Sequence, residues 1–180
     1  MGFLGFAYME KGDATAAIAA LEESIPLVHQ FGVKVFEGWF TAFLAEANRI
    51  EGRLDRAEAF AEHGRLLATE ANYGVAVGWA EHSLGRTARD RGDLVKATEH
   101  LDQAFKTFTG THSRYECARL HMDLGGVWRS RGNDNLAAHH LREAHELLSR
   151  LGAVPHRERV ERLAAEWGIG IGDTPSSPLA

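Results

Sequence analysis

Ten histidines, a single cysteine and recurring arginines are the residues of this chain whose types could do chemistry. Cys117 and His121 stand four apart, which on a helix puts a thiolate and an imidazole on one face, within reach of one metal ion. Two ligands fall short of the four that hold a structural zinc. His139 and His140 are adjacent, so on a helix they diverge by about 100°. Neither a His-x3-His pair nor an HExxH run occurs, so the histidines are expected at surface and packing positions and no metal or other cofactor is expected.

Nucleotide and nucleophile motifs are equally wanting. There is no Walker A sequence, no GxGxxG and no GxSxG. Gly168-Ile169-Gly170-Ile171-Gly172 is glycine-rich but lacks the following helix and lysine that a phosphate cradle needs. Paired acids such as Glu22-Glu23 read as solvation of a helix surface. No catalytic residue is expected.

What remains is cationic and aromatic. Trp39, Ala42, Glu46 and Arg49 are spaced by three, four and three residues, which places them along one helix face. The same steps join Trp79, His82, Arg86 and Arg89, and again Arg119, Met122, Gly126 and Arg129. Arg49, Arg89 and Arg129 therefore recur every 40 residues, with Met9 in the first register.

The elements that position these residues follow from a ruler of glycines. Gly12, Gly52, Gly92 and Gly132 stand 40 apart without insertion or deletion. Leu4, Leu44, Leu84 and Leu124 keep that register, as do Ala17, Ala57, Ala97 and Ala137. In "LVKATEHLDQAF" the apolar residues Leu94, Ala97, Leu101, Ala104 and Phe105 fall at three- and four-residue steps, the pattern of an amphipathic helix. Each ruler glycine suits the left-handed position that closes a helix. Asp13, Asp93 and Asn133 then cap the next helix, while Arg53 leaves the second turn less well capped. Arg91-Gly92-Asp93 is thus punctuation between helices, not an adhesion signal. Fixed-period repetition of units that cannot bury an apolar face alone indicates a solenoid.

These spacings resemble the tetratricopeptide (TPR) repeat. The resemblance rests on Leu4-Gly5-x2-Tyr8 with Ala17-x3-Leu21-x2-Ser24, on Leu84-Gly85 with Ala97-x3-Leu101-x2-Ala104, and on Leu124-Gly125-x2-Trp128 with Ala137-x3-Leu141-x2-Ala144. The second unit is degenerate, with Ala45, Asn48, Ala61 and Gly64 at those places. Long units of this kind are similar to the C-terminal TPR regions of bacterial signal-transduction ATPases, maltose-regulator-type activators and nucleotide cyclases. The resemblance implies an all-α, TPR-like α-α superhelix of about four helical hairpins.

Expected helices are 2–11, 13–31, 35–51, 54–71, 75–91, 93–109, 114–131 and 133–150. A ninth helix at 155–167, opened by Pro155, is expected to cap the array through Val160, Leu163, Ala164 and Trp167. One solenoid domain over 1–167 and a flexible tail over 168–180 complete the expected organisation.

In TPR proteins the first helix of each pair lines a concave groove. The resemblance makes Trp39, Arg49, Trp79, His82, Arg86, Arg89, Arg119, Met122 and Arg129 candidates for a ligand groove. An inward column of arginines repels itself unless neutralised, either by carboxylates of a bound peptide or by Glu46, Glu51 and Asp90 of the chain itself. The TPR clamp for C-terminal carboxylates uses Lys and Asn at places that Lys34 and Asn48 do not match, so that specificity is not implied.

Mixed charge, net −5, argues against direct nucleic-acid binding. No apolar run reaches the roughly 18 residues of a membrane span, and one cysteine fits a reducing, cytoplasmic compartment. The function expected is non-enzymatic: a protein- or peptide-binding module, the regulatory or scaffolding part of a larger bacterial signalling or transcription-regulatory protein. The alternative is a stand-alone peptide sensor or scaffold. The first helix is short and apolar, so Phe3, Leu4 and Phe6 are expected to meet either a further domain of a longer chain or a second copy in a homodimer.

Overall fold

A computed structural model describes residues 1–171. Its helices are α1 (Gly2–Glu10), α2 (Ala14–Gln30), α3 (Lys34–Ile50), α4 (Leu54–Glu70), α5 (Gly74–Asp90), α6 (Leu94–Gly110), α7 (Arg114–Ser130), α8 (Asp134–Arg150) and α9 (Val154–Glu166). No strand occurs among the described residues. Every boundary lies within one residue of its expected place.

The period is finer than the glycine ruler suggests. From α2 to α8 each helix has 17 residues, and three residues join it to the next. The middle residue of each link, at 12, 32, 52, 72, 92, 112, 132 and 152, is left-handed, with φ between +51° and +83°. Six of these are glycine; Asn72 and His112 occupy the other two at a steric cost.

One hydrogen-bond scheme closes each helix. At the link between α5 and α6, Gly92 N–H donates to Arg89 O at 2.9 Å and Asp93 N–H to Ala88 O at 2.9 Å, the paired bonds of a Schellman motif. The link's last residue also caps the helix that follows. Asp13, Asp93 and Asn133 accept from the backbone N–H of Ala16, Lys96 and Leu136 at 3.0 to 3.1 Å. Arg53 makes no side-chain cap, as its chemistry dictates.

Packing divides the chain into two compact units, Met1–Ser113 and the segment from Arg114 onward. In the first, the pairs α1/α2, α3/α4 and α5/α6 stack in series, and α3 touches α1, α2, α4 and α5. Side chains about one period apart meet there: Arg86 reaches Glu46, Arg91 reaches Asp55 and Arg56 reaches Glu22. In the second unit α7 pairs with α8, and α9 packs on α8. Val160 and Ala164 of α9 are fully buried with Leu141, Ala144 and Leu148, while Leu163 and Trp167 pack around them. Of the expected tail, Gly168–Ile171 turn back on this cluster, with Ile169 N–H donating to Ala164 O at 2.8 Å. The rest of it, 172–180, lies outside the described residues.

Volume is exchanged across each pair. A side chain on Gly5 would come within 2.6 Å of Leu21, and one on Gly85 within 2.7 Å of Leu101. In the degenerate second unit Ala45 faces Ala61 instead. There the helices approach until a Cβ on Gly38 would lie 2.8 Å from Ala68 N, and one on Gly64 3.0 Å from Ala42 N. Small residues on both helices replace the glycine–leucine fit, so the departure from the repeat pattern is itself a packing solution.

Candidate functional site

The face shared by α3 and α5 has two chemically distinct ends. Near the start of α3, Phe36, Trp39, Phe40 and Phe43 fall close together on the helix and gather aromatic neighbours. Phe3 meets Phe36, Trp39 and Phe40 edge to face, with centroids 5.3 to 5.8 Å away. Tyr73 packs on Trp39 at 5.4 Å. Trp39 is partly buried, and its indole Nε1, itself buried, has no hydrogen-bond partner among the described residues. Beneath lie Phe43 and Trp79, 5.0 Å apart, with Phe6 against both. Trp79 and His82 are 3% and 1% exposed, so they support the face from below.

The other end holds the arginines. Arg49 grips Glu46 bidentately, with Nε and Nη2 each 2.8 Å from a carboxylate oxygen. Arg86 donates to the same carboxylate from α5 at 2.8 Å. Arg49 Nη1 also donates to Asp90, whose other oxygen lies 3.1 to 3.2 Å from Arg89. Glu51, by contrast, accepts from Thr15 at 2.9 Å. Burial alone would push the Glu46 carboxyl up. The charge of Arg86 and then the hydrogen bond and charge of Arg49 outweigh it and hold the pKa at about 2. Arg49 is correspondingly raised: burial opposes its charge, and the Glu46 and Asp90 carboxylates overcome that. Arg49, Arg86 and Arg89 thus gather about Glu46 and Asp90 in a partly desolvated network, where charge-assisted bonds are strong.

The candidates in the second unit all lie on α7. Arg119 is 7% exposed, with its guanidinium 6.0 Å over the Tyr115 ring. Met122 packs on the core cluster that α9 completes. Arg129 lies 2.5 Å from Asp134 just past its own turn. Of the apolar N-terminal candidates, Phe3 and Leu4 are 51% and 45% exposed, while Phe6 is partly buried against Phe43 and Trp79.

Two pairings escaped the reading by spacing because they join different helices. His121 and His140 meet Nδ1 to Nδ1 at 2.9 Å, each lowered to about 4, chiefly by burial. His100 donates to Glu81 at 2.7 Å. Among the described residues no group of three or more His, Cys, Asp or Glu side chains could hold a metal ion. Phe36, Phe40 and Phe43 were missed by the reading, which singled out only Trp39; their three- and four-residue spacing was the signal that could have found them, whereas nothing in the spacing joins them to Phe3 and Tyr73.

No protein-family model and no curated protein matches the chain. Solved structures do. BtubC (BKLC) from P. vanneervenii superposes with a TM-score of 0.63 at 16% identity, over 98% of this chain and 82% of that one. A Podosopora anserina putative kinesin light chain with nearly identical TPR-like repeats gives 0.52 at 15% identity, over 93% and 92%. A single-substitution form of that protein gives 0.51 at 17% identity, over 92% and 93%. The chain therefore has an all-α fold of the TPR-like superhelical class. Among the described residues no helix is long and apolar enough to cross a membrane.

Proposed function

We propose that this chain is a non-enzymatic peptide-binding module whose α3–α5 face is the ligand groove. The observation that supports it is the polarity of that face, aromatic at one end and arginine-rich at the other. Trp39 and Arg49 are ten residues apart on α3, a rise of about 15 Å. An extended peptide covers that distance with roughly four or five residues. The ligand is then an extended segment that lays an aromatic or aliphatic side chain on Trp39 and Phe36 and presents an acidic side chain to Arg49, Arg86 and Arg89.

Arginine supplies planar donors for carboxylates, and partly desolvated aromatic rings make strong anchors. Arg119, Met122 and Arg129 remain candidates within the second unit for the same class of partner. The resemblance to bacterial signalling proteins supports a cytoplasmic regulatory or scaffolding role within a larger protein of that kind. A stand-alone peptide sensor or scaffold that homodimerises through its apolar N-terminal helix is the second reading, for which exposed Phe3 and Leu4 supply an apolar surface.

Selection of short random peptides on the wild type is expected to return an acid about four positions from an aromatic residue. Arg89→Glu, which leaves buried Glu46 its two partners, should weaken the selected peptides at least about tenfold. Enrichment without acidic residues, or affinity unchanged in the variant, would rule out this assignment.

A further inference from the structure

Two carboxylates sit among the arginines of the α3–α5 face, and they are placed for different tasks. The Glu46 side chain is 4% exposed and that of Asp90 28%. Glu46 accepts from Arg49 Nε and Nη2 and from Arg86 Nη1. Pulling it from them would strand a buried charge, which is costly. Asp90 takes the remaining terminal nitrogen of Arg49, Nη1, on one oxygen. Its other oxygen accepts from Arg89 Nε at 3.2 Å and Nη2 at 3.1 Å. Burial opposes the charge of Arg49; Glu46 does most to outweigh it, and Asp90 adds less. Of the two carboxylates, Asp90 is the more weakly held and the nearer to water.

Nothing in the helix itself asks for an acid at position 90. It is the last residue of α5, where the carbonyl end of a helix disfavours negative charge. The same register holds Glu10, Ile50 and Ser130. The turns after Ile50 and Ser130 close with the same pair of backbone bonds as the turn after Asp90, so the link does not require a carboxylate. What position 90 provides is a carboxylate on two of the three arginines to which the ligand presents its acid.

We propose that Asp90 is a built-in competitor for the ligand's acidic side chain, holding the Arg49 and Arg89 donors until a ligand carboxylate takes them and Asp90 turns into water. This role rests on the α3–α5 face being the ligand groove. The exchange replaces carboxylate–guanidinium bonds with bonds of the same kind, so the ligand's acid gains little over the residue it displaces. Asp90 thereby sets the affinity of the groove. A neutral amide on the ligand cannot displace a charged acceptor from two guanidinium groups, and such a ligand is left with its aromatic anchor alone. Glu46 stays in place throughout, because burial makes its departure unfavourable.

Asp90→Asn tests this, since it keeps an oxygen acceptor of the same shape and removes the charge. Random-peptide selection is run on the wild type and on the variant. The acidic peptides recovered, and their counterparts with Gln for Glu or Asn for Asp, are titrated into each protein by calorimetry. Acidic peptides should bind Asp90→Asn about tenfold tighter than wild type, because a charged acceptor then displaces a neutral one. The amide counterparts should change by less than about twofold, since amide for amide is an even exchange. Asp55→Asn removes the same charge from exposed Asp55 on α4, the partner of Arg91, and should leave both sets of affinities as they are. Acidic peptides that bind the wild type and gain nothing in Asp90→Asn overturn the role of Asp90 and leave the groove standing. An equal gain for the amide counterparts, or for Asp55→Asn, overturns it too, since a reshaped surface or bulk charge would then account for the effect. If neither protein selects acidic peptides, the groove falls and the role of Asp90 with it.

Discussion

Replacing Glu46 by Gln should cost this fold about as much as a well-packed core side chain. The carboxylate is 3% exposed and is held by Arg49 and Arg86 through three hydrogen bonds of 2.8 Å. Its pKa falls from the usual 4.5 to about 2 in the folded chain. At 1.36 kcal/mol per pKa unit that is about 3 kcal/mol of stability. Because the folded pKa is the lower one, the unfolded chain binds the proton more readily. The contribution is fully present above about pH 4.5 and fades as the pH falls towards 2. For a chain of this size, about 3 kcal/mol corresponds to roughly 6–12 °C in melting temperature. Glu46→Gln is therefore expected to melt that much lower at pH 7, and thermal scans by circular dichroism should show the gap closing in acid. In a double-mutant cycle, Arg86→Gln should cost less in the Glu46→Gln background than alone. A variant melting within about 2 °C of wild type at pH 7, or a gap that persists unchanged at pH 2.5, would refute the ion-pair account.

Two further perturbations follow from the links and from the histidines. Gly92→Ala forces a Cβ into a left-handed residue with φ +83° and should destabilise by about 1–2 kcal/mol; His112→Gly relieves such strain at φ +56° and should stabilise by about 0.5–1 kcal/mol, both read by urea denaturation. His100 is raised from 6.5, first by its hydrogen bond to Glu81 and against the effect of burial. Its contribution is present below pH 6.5 and is lost as the pH rises through the folded value, so His100→Gln should remove a loss of stability on the alkaline side of 6.5 that NMR titration of the ring would locate. A ring titrating at or below 6.5 would contradict that.

The regular links show why so much of the fold was legible in the chain itself. A left-handed residue, its Schellman bonds and the capping Asp or Asn are satisfied within about six residues. Gly92 and Asp93 therefore announce their geometry whatever surrounds them. Even so, only half the links were visible as a ruler, because Asn72 and His112 do the work of glycine at +51° and +56°. The 20-residue period emerged only with the backbone. The degenerate second unit is a similar case. Ala61 and Gly64 look like lost repeat positions until Gly38 and Ala42 are seen pressed against the facing helix.

The candidate site was legible in its residues but not in its bonds. Spacing placed Trp39 and Arg49 on one side of α3, since side-chain direction on a helix follows from 3.6 residues per turn. It could not decide that Arg86 takes Glu46 from 40 positions away, or that Asp90 bridges Arg49 and Arg89. Those contacts depend on how far one hairpin slides against the next, which the bulk of many interlocking side chains sets together. The chain alone thus determined helices, turns, caps and their repetition, because each is closed by neighbours in sequence. Only tertiary structure decided which charges neutralise one another and which aromatic rings meet Trp39, because both are properties of helices brought together from a distance.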